Sequence, residues 1–235
     1  MQERLISYKE GDDEFDAFVA TPDGGGDKPA VLVCHAWGGR DAFAEDKARK
    51  LAELGYVGAA IDIYGVGVRG TDNESSAALM TPLIEKPDLL RRRLTASFQA
   101  VRTADGVDPE RMASIGFCFG GLCSLLMARM GLPMRGAVSF HGLLKVGAPL
   151  ESKPKARMCV LHGQDDPMVP PEDVGAWAAE MKRVDADWQF HAYPGTMHAF
   201  TVPEANDPGF GTVYNAEADR RSWATMKAFL AESLE

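Results

Sequence analysis

A cysteine between glycines, in residues 116–121 (GFCFGG), constrains the fold of this chain more than any other segment. It follows an apolar run over 112–115 that predicts a strand. It precedes apolar residues at helical spacing over 122–130. Glycines two residues before and after a central side chain permit a very sharp strand-to-helix turn, which exposes that side chain and directs backbone N–H groups towards it. The segment therefore predicts a strand–turn–helix unit with Cys118 at its tip.

In the rest of the chain, continuous apolar runs alternate with segments whose apolar residues recur at helical spacing. Two short alternating segments near the start predict a hairpin at a sheet edge. Continuous apolar runs follow and predict strands that are buried on both faces, at 30–34, 57–63, 136–140 and 157–162. Short connections between strands and helices indicate a mostly parallel central sheet with helices on both faces. Residues 65–87 fit no regular element, and we expect a loop or a short lid over a pocket within a single domain spanning 1–235.

Composition narrows the class of protein. A chain of 235 residues is long enough for one large domain with a proper core. A formal net charge of −9 argues against nucleic acid and anionic membranes as partners but does not identify the partner, for which we expect a small-molecule substrate. The N-terminus lacks the apolar core of a signal peptide and no run is long enough to span a bilayer, so we expect a cytoplasmic protein, with a monomer as the default.

The cysteines fit a reducing compartment. Three of them lie in apolar strand-like or helical runs and are predicted to be small buried side chains: Cys34, Cys123 and Cys159. None of the cysteines shows metal-ligand spacing such as Cys-x-x-Cys, so we expect no metal site. Cys118 is therefore the cysteine on which function is expected to depend.

Cys118, Asp166 and His198 each follow a predicted strand. In a parallel sheet the functional residues collect where the strands end, so these side chains are expected at one edge. A thiol becomes a good nucleophile when a helix N-terminus or an imidazolium lowers its pKa from about 8.5. A histidine also moves the proton, and a carboxylate orients that histidine. The order of nucleophile, acid and histidine is that of α/β-hydrolases, which is the predicted fold class.

Alternatives exist for the acid and the histidine. Asp165 competes with Asp166, and both aspartates are also suited to capping a turn. His198 is favoured because it lies in the loop after the last strand. The other histidines are expected in structural or pocket positions: His35, His141, His162 and His191.

Residues 35–39 (HAWGG) follow the first buried strand and predict the second side of the site. In α/β-hydrolases a backbone N–H from this loop pairs with the N–H after the nucleophile to form the oxyanion hole. The donors here are the N–H groups of Trp37 and Phe119. The alternative interpretation of Gly38 and Gly39 is that they only form a tight loop. The candidate pocket residues are His35, Tyr64, His141 and Phe200.

Together these segments resemble the dienelactone hydrolase family over essentially the whole chain. The resemblance is carried by the cysteine turn and by residues 62–64 (DIY), 166–170 (DPMVP) and 198–200 (HAF). It implies a single-domain α/β-hydrolase without a metal ion or cofactor. The family's catalytic and oxyanion roles carry over onto Cys118, Asp166, His198, Trp37 and Phe119.

Two departures from the family bear on the substrate. Dienelactone hydrolases have a glutamate that assists the thiol where this chain has Ala36, so Cys118 relies on His198 and the helix terminus, or on His35. They also hold the substrate carboxylate with arginines. One of these stands four residues after the catalytic histidine, where this chain has Val202, and no arginine lies between residues 70 and 90. A carboxylate without a cationic partner is costly to desolvate, so we expect uncharged substrates.

The sequence therefore predicts a cysteine hydrolase of small, uncharged esters or lactones that acts through a thioester intermediate. A neutral pocket also suits phosphotriesters, whose P=O oxygen fits the same oxyanion hole. One alternative is a true dienelactone (carboxymethylenebutenolide) hydrolase. Another is a hydrolase-like ligand-binding or thiol-redox module with a silent cysteine, because the glutamate partner is missing.

Overall fold

The computed structural model describes residues 1–145 and 147–235, which build a large sheet flanked by helices. The sheet strands are β1 (Gln2–Glu10), β2 (Asp13–Thr21), β3 (Lys28–Cys34), β4 (Val57–Ile61), β5 (Val107–Phe117), β6 (Gly136–Phe140), β7 (Arg157–Gly163) and β8 (Trp188–Tyr193). The helices are α1 (Ala42–Glu53), α2 (Asn73–Glu85), α3 (Pro87–Arg102), α4 (Phe119–Arg129), α5 (Pro171–Arg183) and α6 (Ala216–Leu234). A small hairpin is formed by β9 (Asn206–Asp207) and β10 (Thr212–Val213).

The strand order is β1-β2-β4-β3-β5-β6-β7-β8. β1 and β2 pair antiparallel, as do β2 and β4, whereas the strands from β4 to β8 pair in parallel. The predicted mostly parallel sheet with an antiparallel hairpin at one edge is confirmed.

Two apolar layers hold the helices against opposite faces of the sheet. One layer contains side chains of α3, α4 and α5, and the other contains side chains of α1 and α6. The central strands contribute side chains to both layers because successive side chains of a strand point to opposite faces of the sheet. Burial of these side chains provides the main stabilisation of the fold, since each large apolar side chain contributes about 1.5–3 kcal/mol.

The parallel pairing sets the position of the functional loops. Cys34 pairs with Gly116 across β3 and β5, and Phe117 pairs with Phe140 across β5 and β6. The loops that follow β3, β5, β6, β7 and β8 therefore leave the sheet at the same edge. Each predicted site residue of these loops is consequently brought to that edge, as a parallel sheet requires.

Residues 65–87 differ from the sequence-based expectation of a loop or short lid because they contain helix α2. Its N-cap is Asp72, whose carboxylate accepts a hydrogen bond from the N–H of Ser75, while the Ser75 hydroxyl accepts one from the N–H of Asp72. This capping box starts the helix despite a weak apolar pattern. A lid role for the segment stays a prediction. Within 1–145 and 147–235, no helix combines the length and apolar character needed to cross a bilayer.

Candidate active site

Cys118 occupies a strained turn between β5 and α4. Its backbone has φ +56° and ψ −116°, a conformation that L-residues rarely adopt. The flanking glycines are needed for close packing, because a Cβ at Gly116 would overlap the carbonyl of Gly120, and a Cβ at Gly120 would overlap the carbonyl of Cys34. These contacts explain why glycines stand two residues before and after the cysteine.

The surroundings of Cys118 favour its thiolate. The side chain is half-buried, and α4 begins at the next residue, so the positive end of the helix lies beside the sulfur. Burial raises the pKa of a thiol. The positive charge of the nearby His198 and the backbone N–H groups of Phe119 and Trp37 outweigh this effect and lower the pKa of Cys118. Both N–H groups predicted to form an oxyanion hole therefore lie close to the sulfur.

His198 and Asp166 form a buried pair. The Nδ1–H of His198 donates to Asp166 Oδ2 over 2.7 Å, and the second oxygen of Asp166 accepts from the N–H of Met168 over 2.8 Å. Asp165, the competing acid, is exposed, and its N–H donates to the carbonyl of Thr196. Asp166 is thus the aspartate that contacts the histidine.

Electrostatics in this pair favour a charged imidazole. Burial lowers the pKa of His198, but the Cys118 thiolate and the Asp166 carboxylate outweigh burial and raise it to about 10. His198 Nε2 is buried and forms no hydrogen bond of ordinary geometry with a described residue. Nε2 and the sulfur are therefore near enough to stabilise each other's charge, but they are not aligned for a normal hydrogen bond. Such contacts often tighten only when substrate binds.

The β9–β10 hairpin holds the loop that carries His198. The N–H of His198 donates to the carbonyl of Gly211 over 3.0 Å, and the N–H of Val213 donates to the carbonyl of His198 over 3.1 Å. Ala199 follows in a left-handed conformation with φ +55°. These bonds fix the backbone on both sides of the imidazole. The hairpin was not predicted from the sequence because its strands are only two residues long.

The loop after β3 is held by residues of the 62–70 segment. The Tyr64 hydroxyl donates to the carbonyl of Trp37 over 2.8 Å, and the N–H of Gly70 donates to the carbonyl of Gly38 over 3.0 Å. Gly39 has φ +95°, and a Cβ there would press against the carbonyl of Val68. These bonds hold the backbone of the loop that carries Trp37, whose N–H contributes to the lowered pKa of Cys118.

The candidate pocket residues all lie beneath the surface of the site. Their exposures are 1% for His35, 7% for Tyr64, 1% for His141 and 0% for Phe200. Both ring nitrogens of His35 are occupied, because Nδ1 donates to the carbonyl of Ala36 over 2.6 Å and Nε2 accepts from the N–H of Ile63 over 3.2 Å. His35 therefore has no free nitrogen with which to activate the thiol, which contradicts the alternative that it replaces the missing glutamate.

Phe210 is a candidate site residue that the sequence reasoning missed. It is 41% exposed and its ring stacks on Trp37, with ring centroids 6.0 Å apart. Val66 and Val68 are also exposed, and the Val68 backbone touches Gly39. An apolar rim therefore lies beside the predicted oxyanion loop. The sequence signal that could have indicated Phe210 is an aromatic residue between two glycines, at 209–211.

The remaining cysteines are poor nucleophiles. Cys34, Cys123 and Cys159 have no exposed surface, and burial raises the pKa of each, to about 12 for Cys159. Across the described residues, no group of three or more His, Cys, Asp or Glu side chains is arranged to hold a metal ion. Of the four cysteines, Cys118 is the one whose surroundings lower its pKa.

Comparison with known proteins identifies the family. Residues 15–234 match the dienelactone hydrolase family. A solved structure of a dienelactone hydrolase-like promiscuous phosphotriesterase from metagenomic libraries is similar, with a TM-score of 0.93 and 31% identity over 100% of this chain and 99% of that chain.

Two curated relatives extend this comparison. An uncharacterized protein of Caenorhabditis elegans is 38% identical over 148 residues, which is 61% of this chain and 94% of the relative. A putative carboxymethylenebutenolidase of Yersinia pestis is 28% identical over 91% of this chain and 82% of the relative. Because the family match extends over nearly the whole sequence, the chain belongs to the dienelactone hydrolase family and is a hydrolase.

Proposed function

We propose that this hydrolase cleaves small, uncharged esters and lactones with Cys118 as nucleophile, His198 as proton carrier and Asp166 as the residue that orients His198. The observation that carries the proposal is the placement of Cys118, on a positive-φ turn at the start of α4, near the buried His198–Asp166 pair, whose Nδ1 and Oδ2 lie 2.7 Å apart. The lowered pKa of Cys118 and the raised pKa of His198 agree with this placement. A thiolate held in this way is ready to attack an electrophile without a further base.

The mechanism follows from these positions. The Cys118 thiolate forms a bond to the carbonyl carbon, and the carbonyl oxygen gains the negative charge. The N–H groups of Trp37 and Phe119 stabilise that oxyanion, and loss of one such donor costs about a hundredfold or more in turnover. When the carbon–oxygen bond breaks, the His198 imidazolium protonates the leaving alkoxide, which leaves a thioester on Cys118.

Water completes the cycle. His198 is now neutral and takes a proton from a water molecule, and the resulting hydroxide attacks the thioester carbon. The carbon–sulfur bond breaks, the acid product departs and the thiolate is restored next to the imidazolium. The Asp166 contact keeps the hydrogen on Nδ1, so Nε2 is the nitrogen that faces the reacting atoms throughout.

An aryl acetate assay with a cysteine control tests the proposal. Cys118→Ala is expected to abolish hydrolysis of p-nitrophenyl acetate, and brief reaction of the wild type is expected to add one acetyl group to Cys118 by mass spectrometry. Cys159→Ala, in the interior of β7, is the matched control that keeps the activity. Full activity of Cys118→Ala would refute the proposal, as would a wild-type Cys118 that alkylates no faster than a free thiol. The latter result is expected of a silent binding or redox module.

Phosphotriesters are a further substrate class. The similar solved structure is described as that of a promiscuous phosphotriesterase. The apolar rim of Trp37 and Phe210 suits neutral aryl groups, and a P=O oxygen fits between the same N–H donors. Paraoxon and p-nitrophenyl acetate release the same chromophore, so they can be assayed side by side. Absence of paraoxon turnover, with the acetate cleaved, removes this substrate class alone.

An anionic lactone is the second candidate substrate, and Arg69 is the observation that favours it. Arg69 is exposed beside the oxyanion loop, because its Cα lies near the position that a Cβ of Gly39 would take. None of the ion pairs among the described residues involves Arg69. The variant Arg69→Gln separates the candidates. It leaves hydrolysis of a neutral lactone unchanged, and it weakens hydrolysis of a carboxylated lactone only if Arg69 binds the carboxylate.

A further inference from the structure

His141 connects the cysteine turn to the loop that carries His198. The N–H of Cys118 is shared between the carbonyl of Phe140, over 3.1 Å, and His141 Nδ1, over 3.2 Å. On the other side of the ring, His141 Nε2 lies 2.8 Å from the hydroxyl oxygen of Thr201. Because Nδ1 accepts from a backbone N–H, the ring hydrogen is on Nε2 and is donated to Thr201. One buried ring therefore contacts the nucleophile's own backbone on one side and the histidine loop on the other.

Backbone strain is concentrated at the same three segments. Among the described residues, the non-glycine residues with positive φ are Cys118 at +56°, His141 at +40°, Ala199 at +55° and Asp185 at +53°. The first three belong to the cysteine turn, the bridging residue and the histidine loop. Strained conformations persist only where the surrounding structure determines them, and they cluster at functional sites.

The His141 ring is neutral. It packs against the rings of His198 and Phe200, each with centroids 5.1 Å away. Burial, reinforced by the positive charge on His198, holds the pKa of His141 well below its usual range. His141 therefore does not compete with His198 as a base, and its two hydrogen bonds keep one fixed tautomer.

We propose that His141 is a positioning residue that sets the separation of the Cys118 sulfur and the His198 ring by tying their two segments together through Thr201. The inference rests on the proposed function, because that separation matters only if the sulfur and the ring exchange charge and protons. Loss of the hydrogen bond between His141 and Thr201 lets the loop that carries His198 move relative to the cysteine turn. The imidazolium then stabilises the thiolate less, and the thiol ionises at higher pH.

Two single variants remove the tie in different ways. His141→Asn retains an acceptor where Nδ1 lies and tolerates a positive φ, but its side chain ends short of Thr201. Thr201→Val leaves the His141 ring in place and removes its acceptor. His191→Asn, in edge strand β8, is the matched histidine control. The buried state of the other cysteines directs iodoacetamide to Cys118, and mass spectrometry verifies the labelled site.

The measurement is the pH midpoint of Cys118 alkylation, together with kcat and KM for p-nitrophenyl acetate. Both single variants are expected to raise the midpoint by about 0.5–1 pH unit and to lower kcat with little change in KM. The double variant is expected to shift the midpoint no further than either single variant, because one link is removed in each case. The other titratable groups facing the sulfur are His198, Cys123 and Tyr64, and none of them is altered.

Every outcome of the alkylation measurements supports or overturns the positioning role of His141. Wild-type midpoints in folded single variants, verified by circular dichroism, overturn the positioning role even if thermal stability has fallen. If His141→Asn fails to fold, Thr201→Val alone supports or overturns the role. If wild-type Cys118 itself ionises near pH 8.5, as an ordinary thiol does, then the proposed function fails and the positioning role fails with it. A low wild-type midpoint that the variants retain overturns only the positioning role.

Discussion

Replacement of Asp166 by asparagine is expected to remove the charge that the site holds on sulfur. Asp166 Oδ1 accepts from the N–H of Met168, so the asparagine oxygen is expected to stay on that N–H. The new amide group then faces His198 Nδ1 with a donor. A donor at this place requires an unprotonated Nδ1, so the imidazolium is disfavoured and its hydrogen moves to Nε2.

The size of the effect follows from the thiol equilibrium. The pKa of Cys118 is lowered in the wild type, so its thiolate exists above that lowered pKa and is lost below it. Without an imidazolium the thiol approaches a pKa of about 8.5, and about 3% of it is ionised at pH 7. A decrease of roughly 30-fold is therefore the upper limit, reached when the wild-type thiol is fully ionised at that pH. The difference between the two proteins is expected to disappear above about pH 9–10, where both are ionised.

The assay is the pH profile of Cys118 alkylation in Asp166→Asn, with Asp165→Asn as the exposed neighbouring control. The midpoint is the diagnostic quantity, since thiolates of lower pKa are intrinsically weaker nucleophiles and absolute rates mix the two effects. A midpoint that rises in Asp166→Asn and stays at the wild-type value in Asp165→Asn is expected. A shift in the control alone would falsify the assignment of Asp166.

Three further variants test other parts of the site. Gly120→Ala forces a Cβ into the carbonyl of Cys34 and is expected to lower the melting temperature strongly, whereas Gly175→Ala, in open space on α5, stabilises by about 0.5–1 kcal/mol. Cys118→Ser removes the thiolate and is expected to lower the His198 pKa from about 10, as read by NMR titration; an unchanged value contradicts the pairing. Phe210→Ala is expected to raise KM for aryl esters about two- to tenfold, whereas the distant Leu54→Ala leaves it unchanged.

Much of the fold was predictable because buried parallel strands have a strong sequence signal. Continuous apolar runs such as 30–34 and 136–140 are strands in the structure, and Gly55, with φ +93°, follows α1 as expected. Helix α2 was missed because its start depends on the Asp72–Ser75 capping box rather than on an apolar stripe. The β9–β10 hairpin was missed because two-residue strands leave no periodic pattern.

The candidate site was predictable where a residue's place followed from topology. Cys118, Asp166 and His198 follow strands that end at one edge of the sheet, so their proximity required no knowledge of side-chain contacts. The supporting residues were harder to assign, because His35 and His141 both end strands at this edge and sequence does not reveal which ring nitrogens are occupied. The structure gives His35 two backbone partners and connects His141 to Cys118 and Thr201.

The resting state of the site explains how the chain manages without a glutamate at position 36. The groups that lower the pKa of Cys118 are all donors or positive charges, from His198, Phe119 and Trp37. The two N–H groups that stabilise the resting thiolate are the same groups proposed to stabilise the oxyanion. In the proposed mechanism, attack moves negative charge from sulfur to oxygen while the same N–H groups remain the donors. Only the part of their stabilisation that is greater in the transition state than for the resting thiolate accelerates the reaction. In this proposed mechanism, a thiolate stabilised before the substrate binds makes a separate activating carboxylate unnecessary. Precise placement of His198 is then the requirement that the surrounding hydrogen bonds have to meet.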